Sequence, residues 1–277
     1  MKFSAVLQDT TSADTFIRYL NAASRLGKKR CCLKIQTEGI SFVSCANLHD
    51  GGCWFCLYIP CSSQIFRRFD FIGLNARIPD QNFIYLELDI DNLVKILPGG
   101  HCYLKIKLSK NQADEPVLAV EVRDPDSDIV THQVPITVIL SRYWSAYARP
   151  SHGHKKMSIF LPQAKVLCRV MQAYKNMNAK CLKFIASTNG DLRISSTIEH
   201  GEIDALFSDL PTNTAETDSQ EDSSTVQLMI KSIVSMLQSF TFSRTRVKMN
   251  IISNRMAEFN MHCDDYDLSY IVGNVIE

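Results

Sequence analysis

Leu88-Asp89-Ile90-Asp91-Asn92-Leu93-Val94-Lys95-Ile96-Leu97 returns later in the chain as Leu228-Met229-Ile230-Lys231-Ser232-Ile233-Val234-Ser235-Met236-Leu237. The apolar side chains stand at the same steps in both. Each stretch reads as a strand end that runs into a short amphipathic helix. A repeat of this kind makes a search for further copies the first task.

Working outward, the flanking sequence repeats too. The opening pattern Lys2-Phe3-Ser4-Ala5-Val6-Leu7 recurs as Lys156-Met157-Ser158-Ile159-Phe160-Leu161. A helical pattern follows each, with Phe16, Leu20 and Ala23 in the first and Leu167, Val170, Met171 and Tyr174 in the second. Thr10 to Ser12 supply capping side chains for the first helix, and Pro162 suits the first turn of the second. A hairpin comes next in both halves. Cys32-Leu33-Lys34-Ile35 turns at Thr37-Glu38-Gly39, and Cys181-Leu182-Lys183-Phe184 turns at Thr188-Asn189-Gly190. Glycine accepts the positive φ that such turns require.

Beyond the decapeptide, three strands close each half. Leu104–Leu108, Val117–Val122 and Val130–Ile136 answer to Val247–Ile251, Met256–Met261 and Leu268–Val272. Few helices, many strands and short turns predict an α+β fold with antiparallel sheets. The units are expected at 1–136 and 156–277, joined by a linker at 137–155. Pro211 to Thr225 is rich in Ser, Thr, Asp and Glu and reads as a mobile loop of the second unit.

Composition narrows the function. Hydrophobic residues are 45% and charged residues 21%, which is globular and lacks a disordered bias. A formal net charge of +1 means that any basic surface must be local. No apolar stretch is long enough to span a bilayer, and Asp9 interrupts the opening residues too soon for a secretory core. The ten cysteines are therefore expected as free thiols in a reducing compartment, the cytosol or nucleus.

Two tandem units of this order resemble the DNA sliding-clamp fold. Ile84-Tyr85-Leu86-Glu87-Leu88, Leu104-Lys105-Ile106-Lys107-Leu108, Ile129-Val130-Thr131-His132-Gln133-Val134-Pro135-Ile136 and Ser158-Ile159-Phe160-Leu161-Pro162 resemble the Hus subunits of the heterotrimeric, nine-one-one checkpoint clamp. Met1-Lys2-Phe3 and Trp144 fit as well. The segment Phe66-Arg67-Arg68-Phe69-Asp70 departs by carrying arginines, and the linker and the 211–225 loop match poorly. The resemblance implies sheets outside and helices inside a ring built with two Rad-type clamp subunits. A clamp loader would place that ring on duplex DNA in the nucleus, with some of the protein cytoplasmic. There it would recruit checkpoint and repair proteins. A homotrimeric replication clamp is the alternative within the class.

With that fold, the helices should present cations to phosphate. Lys165, Arg169, Gln172 and Asn176 form one stripe, and Lys231, Ser235 and Gln238 a shorter one. Arg18, Arg25, Lys28, Lys29, Arg30 and Lys95 join them as expected pore residues. On the residues alone, an ordinary solvated face explains these stripes as well. Ile139, Leu140, Tyr143, Trp144 and Tyr147 in the linker suit a client-peptide groove, or else pack the linker down. The resemblance places subunit-joining edges at Val117–Arg123, with Val117, Leu118, Val120 and Val122, and at Glu202–Phe207, with Ile203, Leu206 and Phe207.

Other constellations carry less. Between Arg193 and Lys231 there are acids such as Glu199, Glu202, Asp204, Asp209 and Glu216 but no Lys or Arg, which suits an outer surface that repels DNA or an acidic loop. Cys53-Trp54-Phe55-Cys56 lacks the second ligand pair that zinc requires, and His152 and His154 read as loop histidines. No Gly-rich phosphate loop and no nucleophile elbow is present. No cofactor, metal or catalytic residue is expected. A thiol-dependent enzyme using Cys53 and Cys56 is the reading from another class.

Overall fold

Asp9 stops the first strand and starts the first helix: its carboxylate accepts the Ser12 N–H at 2.8 Å. Thr10, Thr11 and Ser12 lie inside that helix or at its first turn, so the cap falls one residue before the expected hydroxyls. A computed structural model describes the chain apart from residues 28, 74–81, 152–156, 200, 214–221, 240–245 and 276–277, and the side chain of Asp50. The first run of elements is β1 (Lys2–Leu7), α1 (Thr10–Leu26), β2 (Arg30–Gln36), β3 (Gly39–Cys45), β4 (Cys53–Pro60), β5 (Phe66–Ile72), β6 (Phe83–Asp89), α2 (Ile90–Lys95), β7 (Tyr103–Lys110), β8 (Pro116–Arg123) and β9 (Val130–Val138). The second is β10 (Met157–Phe160), α3 (Ala164–Asn176), β11 (Cys181–Ser187), β12 (Leu192–Ile198), β13 (Gly201–Phe207), β14 (Ser223–Met229), α4 (Ile230–Ser239), β15 (Lys248–Ile252), β16 (Met256–Cys263) and β17 (Tyr266–Gly273). Pro162 lies ahead of the α3 cap residue Gln163 instead of in the first turn.

The duplication is visible in the strand connectivity. In the first run the strands lie side by side as β4-β3-β2-β6 and β9-β8-β7-β1; in the second, as β13-β12-β11-β14 and β17-β16-β15-β10. The first run adds β5 outside β1, and β6 also pairs with the end of β9. Two compact units result. One comprises Met1–Cys45, Cys56–Ala148 and Cys263–Asp267; the other, Ala46–Phe55, Arg149–His262 and Leu268–Glu277. The expected boundary at residue 136 falls within β9, which continues to Val138.

Each unit is held by helices laid on a sheet. In the first, α1 buries Phe16, Leu20 and Ala23, with the Phe16 ring 6.4 Å from that of Phe42 in β3. Ser24 Oγ of α1 donates to Asp91 Oδ1 of α2 at 2.6 Å, so the two helices are joined. In the second, Leu167, Met171 and Tyr174 of α3 are buried, and the Tyr174 hydroxyl donates to the Ile194 carbonyl of β12 at 2.5 Å. The same unit also holds a buried polar row. Ser158, Asn250 and Glu258 stand opposite one another across β10, β15 and β16. Ser158 Oγ donates to Asn250 Oδ1, Asn250 Nδ2 donates to Glu258 Oε2, and Arg149 pairs with Glu258, which is 0% exposed. A buried carboxylate is tolerable because it is paired in this way.

The pairing also corrects an expected interface. β8 is bonded along its length to β7 on one side and to β9 on the other. Val117, Leu118, Val120 and Val122 are buried core residues. A strand with both edges filled cannot accept another. The open edge lies one strand further on. β6 reaches only Ile136 to Val138 of β9, so Val130–Pro135 has β8 on one side and no strand on the other among the described residues. β13 is an edge strand, paired only with β12 among the described residues, and its Leu206 is 63% exposed.

Glu121 of β8 sits between Lys107 (2.5 Å) and Lys105 (3.2 Å) of β7. The Lys107 contact, then Lys105, holds its carboxyl below the ordinary value against the opposing effect of burial. A depressed folded-state pKa adds stability at pH values above the unfolded pKa, and that stability fades as pH falls through the folded one. Glu121→Gln should therefore melt roughly a few degrees lower than the parent at neutral pH. The gap should close as the pH drops below the normal carboxylate range. Thermal melts across pH check this, and a gap that persists at acid pH would contradict it.

Candidate functional site

The four helices carry two carboxylates between them, and both are engaged. Asp14 of α1 accepts the Gly100 N–H at 3.0 Å, and Asp91 of α2 accepts from Ser24. α3 and α4 contain no acid at all. The helix cations differ from these acids. Arg18 and Arg25 on α1, Lys95 on α2, Lys165 and Arg169 on α3 and Lys231 on α4 are exposed and make no ion pair with a described residue. Gln172 and Asn176 complete the α3 stripe, with Gln172 Nε2 donating to Asn176 Oδ1 at 2.7 Å.

Two of the expected pore residues differ. Lys29 pairs with Asp89 at 3.4 Å and Arg30 with Glu87 at 3.3 Å, so their charge is partly matched by β6. Lys28 lies outside the described residues, as do His152, His154 and Glu216. Lys175 of α3 is also exposed, beside the stripe of Lys165, Arg169, Gln172 and Asn176. Unengaged cations on acid-free helix faces suit the phosphate backbone, where contact is electrostatic and indifferent to base sequence.

The connector divides the expected groove residues into two sets. Residues Ser141–Tyr147 form a 3-10 helix. The Trp144 ring packs, tilted, against Phe83 at 4.8 Å and Tyr85 at 5.4 Å of β6, and its Nε1 donates to the Ile139 carbonyl at 2.8 Å. Tyr147 lies parallel to Tyr85 at 6.0 Å, and the Ile139 N–H donates to the Tyr85 carbonyl. Burial in this cluster pushes the Tyr85 phenol up to about 12. Leu140 and Tyr143 point away and are exposed, Tyr143 with the Arg142 guanidinium 4.8 Å from its ring centre. One set pins the segment and the other is offered to solvent.

Two of the thiols are deeply buried. Burial raises Cys31 and Cys32 well above the usual thiol range, which keeps them protonated. Cys53 and Cys56 lie three apart on β4. No group of three His, Cys, Asp or Glu among the described residues is arranged to hold a metal ion.

Solved structures share this architecture. Proliferating Cellular Nuclear Antigen from Entamoeba histolytica superposes with a TM-score of 0.73 over 99% of both chains at 13% identity. PCNA from Thermococcus kodakaraensis gives 0.70 over 98% of this chain and 99% of its own, at 14% identity. The chain therefore has the PCNA clamp fold. The profile of the Hus1-like protein family matches residues 1–276, and the chain belongs to that family. Checkpoint protein HUS1 of Homo sapiens is 28% identical over 282 residues, covering 98% of this chain and 99% of that one. Checkpoint protein hus1 of Schizosaccharomyces pombe is 27% identical over 243 residues, covering 81% of each.

The split within the connector has a measurable consequence. Trp144→Ala should destabilise the chain by about 2 kcal/mol, because it removes the ring that covers Phe83 and Tyr85. Tyr143→Ala should cost far less. Urea unfolding of the two variants decides, and equal losses would show that the connector is held some other way.

Proposed function

We propose that this chain is a Hus subunit of a heterotrimeric checkpoint clamp. It joins two Rad-type clamp subunits in a ring around duplex DNA, placed by a clamp loader, and acts as a non-enzymatic scaffold for checkpoint and repair proteins. Its place of action is the nucleus, with a cytoplasmic fraction. The observation that carries the reading is the set of unpaired cations on the acid-free faces of α3 and α4, in a chain of clamp fold and Hus1-like family. A ring that slides needs weak contacts that follow phosphate and ignore sequence, and scattered Lys and Arg supply them. Leu140 and Tyr143, exposed on the connector, are the residues best disposed to meet client peptides.

Charge reversal at both Lys165 and Arg169 should shorten retention of the assembled ring on DNA and make its salt dependence shallower. Assembly and melting temperature should hold, since exposed helix charges contribute only about 0.5 kcal/mol. Retention equal to that of the parent at low salt would remove these residues from the pore.

Ring closure by strand addition falls to the two open edges, Val130–Pro135 of β9 and Gly201–Phe207 of β13. A strand proline sits where its missing N–H faces away from the existing ladder. Pro135 therefore marks the open side of β9, and Thr131 and Gln133, at the same parity, turn their backbone groups there. Gln133→Pro, and separately Leu206→Asp, should block assembly with the partner subunits while the isolated chain melts normally. Proline at Ala119 should instead unfold the chain, because Ala119 is paired on both sides. Normal assembly of both edge variants, followed by native mass measurement, would defeat this assignment. Mass also tests the alternative within the clamp class, a homotrimer, which would form from this chain alone.

A further inference from the structure

The same sheet face is covered in one unit and, around Lys183 and Thr197, left open by the described residues of the other. In the first unit the face turned away from α1 carries Cys32 and Lys34 of β2, Ser41 and Val43 of β3, and Phe83 and Tyr85 of β6. Cys32, Ser41, Val43 and Tyr85 are buried there, beneath the Trp144 and Tyr147 segment. Lys34 closes the arrangement, its ammonium 4.8 Å from the Phe83 ring centre and 5.7 Å from that of Tyr85.

The second unit repeats the backbone without such a cover over Lys183 and Thr197 among the described residues. Alternate residues of β11, β12 and β14 face the same way: Cys181 and Lys183, Ser195 and Thr197, Gln227 and Met229. Even the approach of the next segment repeats, for the Val275 N–H donates to Gln227 O as Ile139 donates to Tyr85 O. Yet Lys183 and Thr197 are exposed, and a groove of about 890 Å³ opens over this face. Ser195 lies at its floor, 4% exposed although it stands on the outward side. Lys183 has Gln227 and Ser195 as its cross-strand neighbours where Lys34 has an aromatic ring. Lys180 and Lys183 stand along one side, Glu199 and Glu202 along the other.

We propose that this groove receives a short aromatic-bearing segment of a partner polypeptide, seated as Ile139–Tyr147 is seated on the first unit. The volume suits a few side chains with their backbone. An incoming ring would meet the Lys183 ammonium, which supplies the cation–π contact that Lys34 makes elsewhere. Gln227, Ser195 and Thr197 provide hydrogen-bonding partners at the floor and wall. The opposed charges of the two sides favour a segment with an acid near Lys180 and Lys183 and a base near Glu199 and Glu202. The chain's own aromatic segment is not the occupant, because Trp144 and Tyr147 are already packed against Tyr85. This docking site is separate from the exposed Leu140 and Tyr143; its Glu202 lies on the β13 edge assigned above to ring closure, so binding is measured on the isolated chain.

The test uses the full chain and a synthetic blocked peptide with the sequence of residues 139–148. Amide chemical shifts should move in β11, β12 and β14 on titration. Thr197→Trp, which fills the groove from an exposed position, should weaken binding at least roughly tenfold, and Lys183→Ala by a smaller factor. A peptide with alanine at the positions of Trp144 and Tyr147 should leave the spectrum unchanged. Thermal melts of both variants should match the parent. Shifts confined to β6 would mean exchange with the chain's own segment, and would overturn the proposal, as would absence of binding at millimolar peptide. Concentration-dependent self-association of the chain that Thr197→Trp abolishes would give the groove to a second copy instead.

Discussion

A β-strand in a folded chain must satisfy the backbone donors and acceptors along both of its sides, and that requirement organises this molecule. β8 meets it twice over, between β7 and β9, and so anchors a meander whose last strand is left half-open. From there the register propagates. Lys105 and Glu121 meet as an ion pair because they stand opposite in the ladder, and Ser158, Asn250 and Glu258 form one buried row for the same reason. The helices then lie on faces that pairing has already defined.

The duplicated architecture was legible because periodicity survives in each copy. Leu88–Leu97 and Leu228–Leu237 fall where they were read, across the junctions of β6 with α2 and of β14 with α4. The first-unit edge was expected at β8 and lies instead at β9, although a signal existed. Val117-Leu118-Ala119-Val120 is an unbroken apolar run, as expected of a strand buried on both faces. Thr131-His132-Gln133-Val134-Pro135 alternates and holds a proline, as expected of an edge. The resemblance to a family fold outweighed those local marks. At the first helix cap, three adjacent hydroxyl residues obscured the aspartate just ahead of them.

The helix cations could be read because acids are missing from α3 and α4, a property of local sequence. Pairings between distant segments could not. Nothing near Lys29 and Arg30 announces Asp89 and Glu87, which reach them only when β2 and β6 come together. Likewise Trp144 is an aromatic on a linker until β6 supplies Phe83 and Tyr85 beneath it. The two alternatives weighed for that segment, packing and docking, turn out to describe different residues of it.

Pro135 has a consequence for the chain before it finds any neighbour. A bare strand edge is a hazard during synthesis, since two copies can zip together through identical strands. With one donor withheld at the end of the open stretch, a symmetric pairing of β9 with β9 lacks a bond from each copy. A partner strand whose own pattern matches that gap loses nothing by it. One imino acid thus biases the newly made subunit against sticking to itself, while leaving the edge usable by a strand of a different sequence.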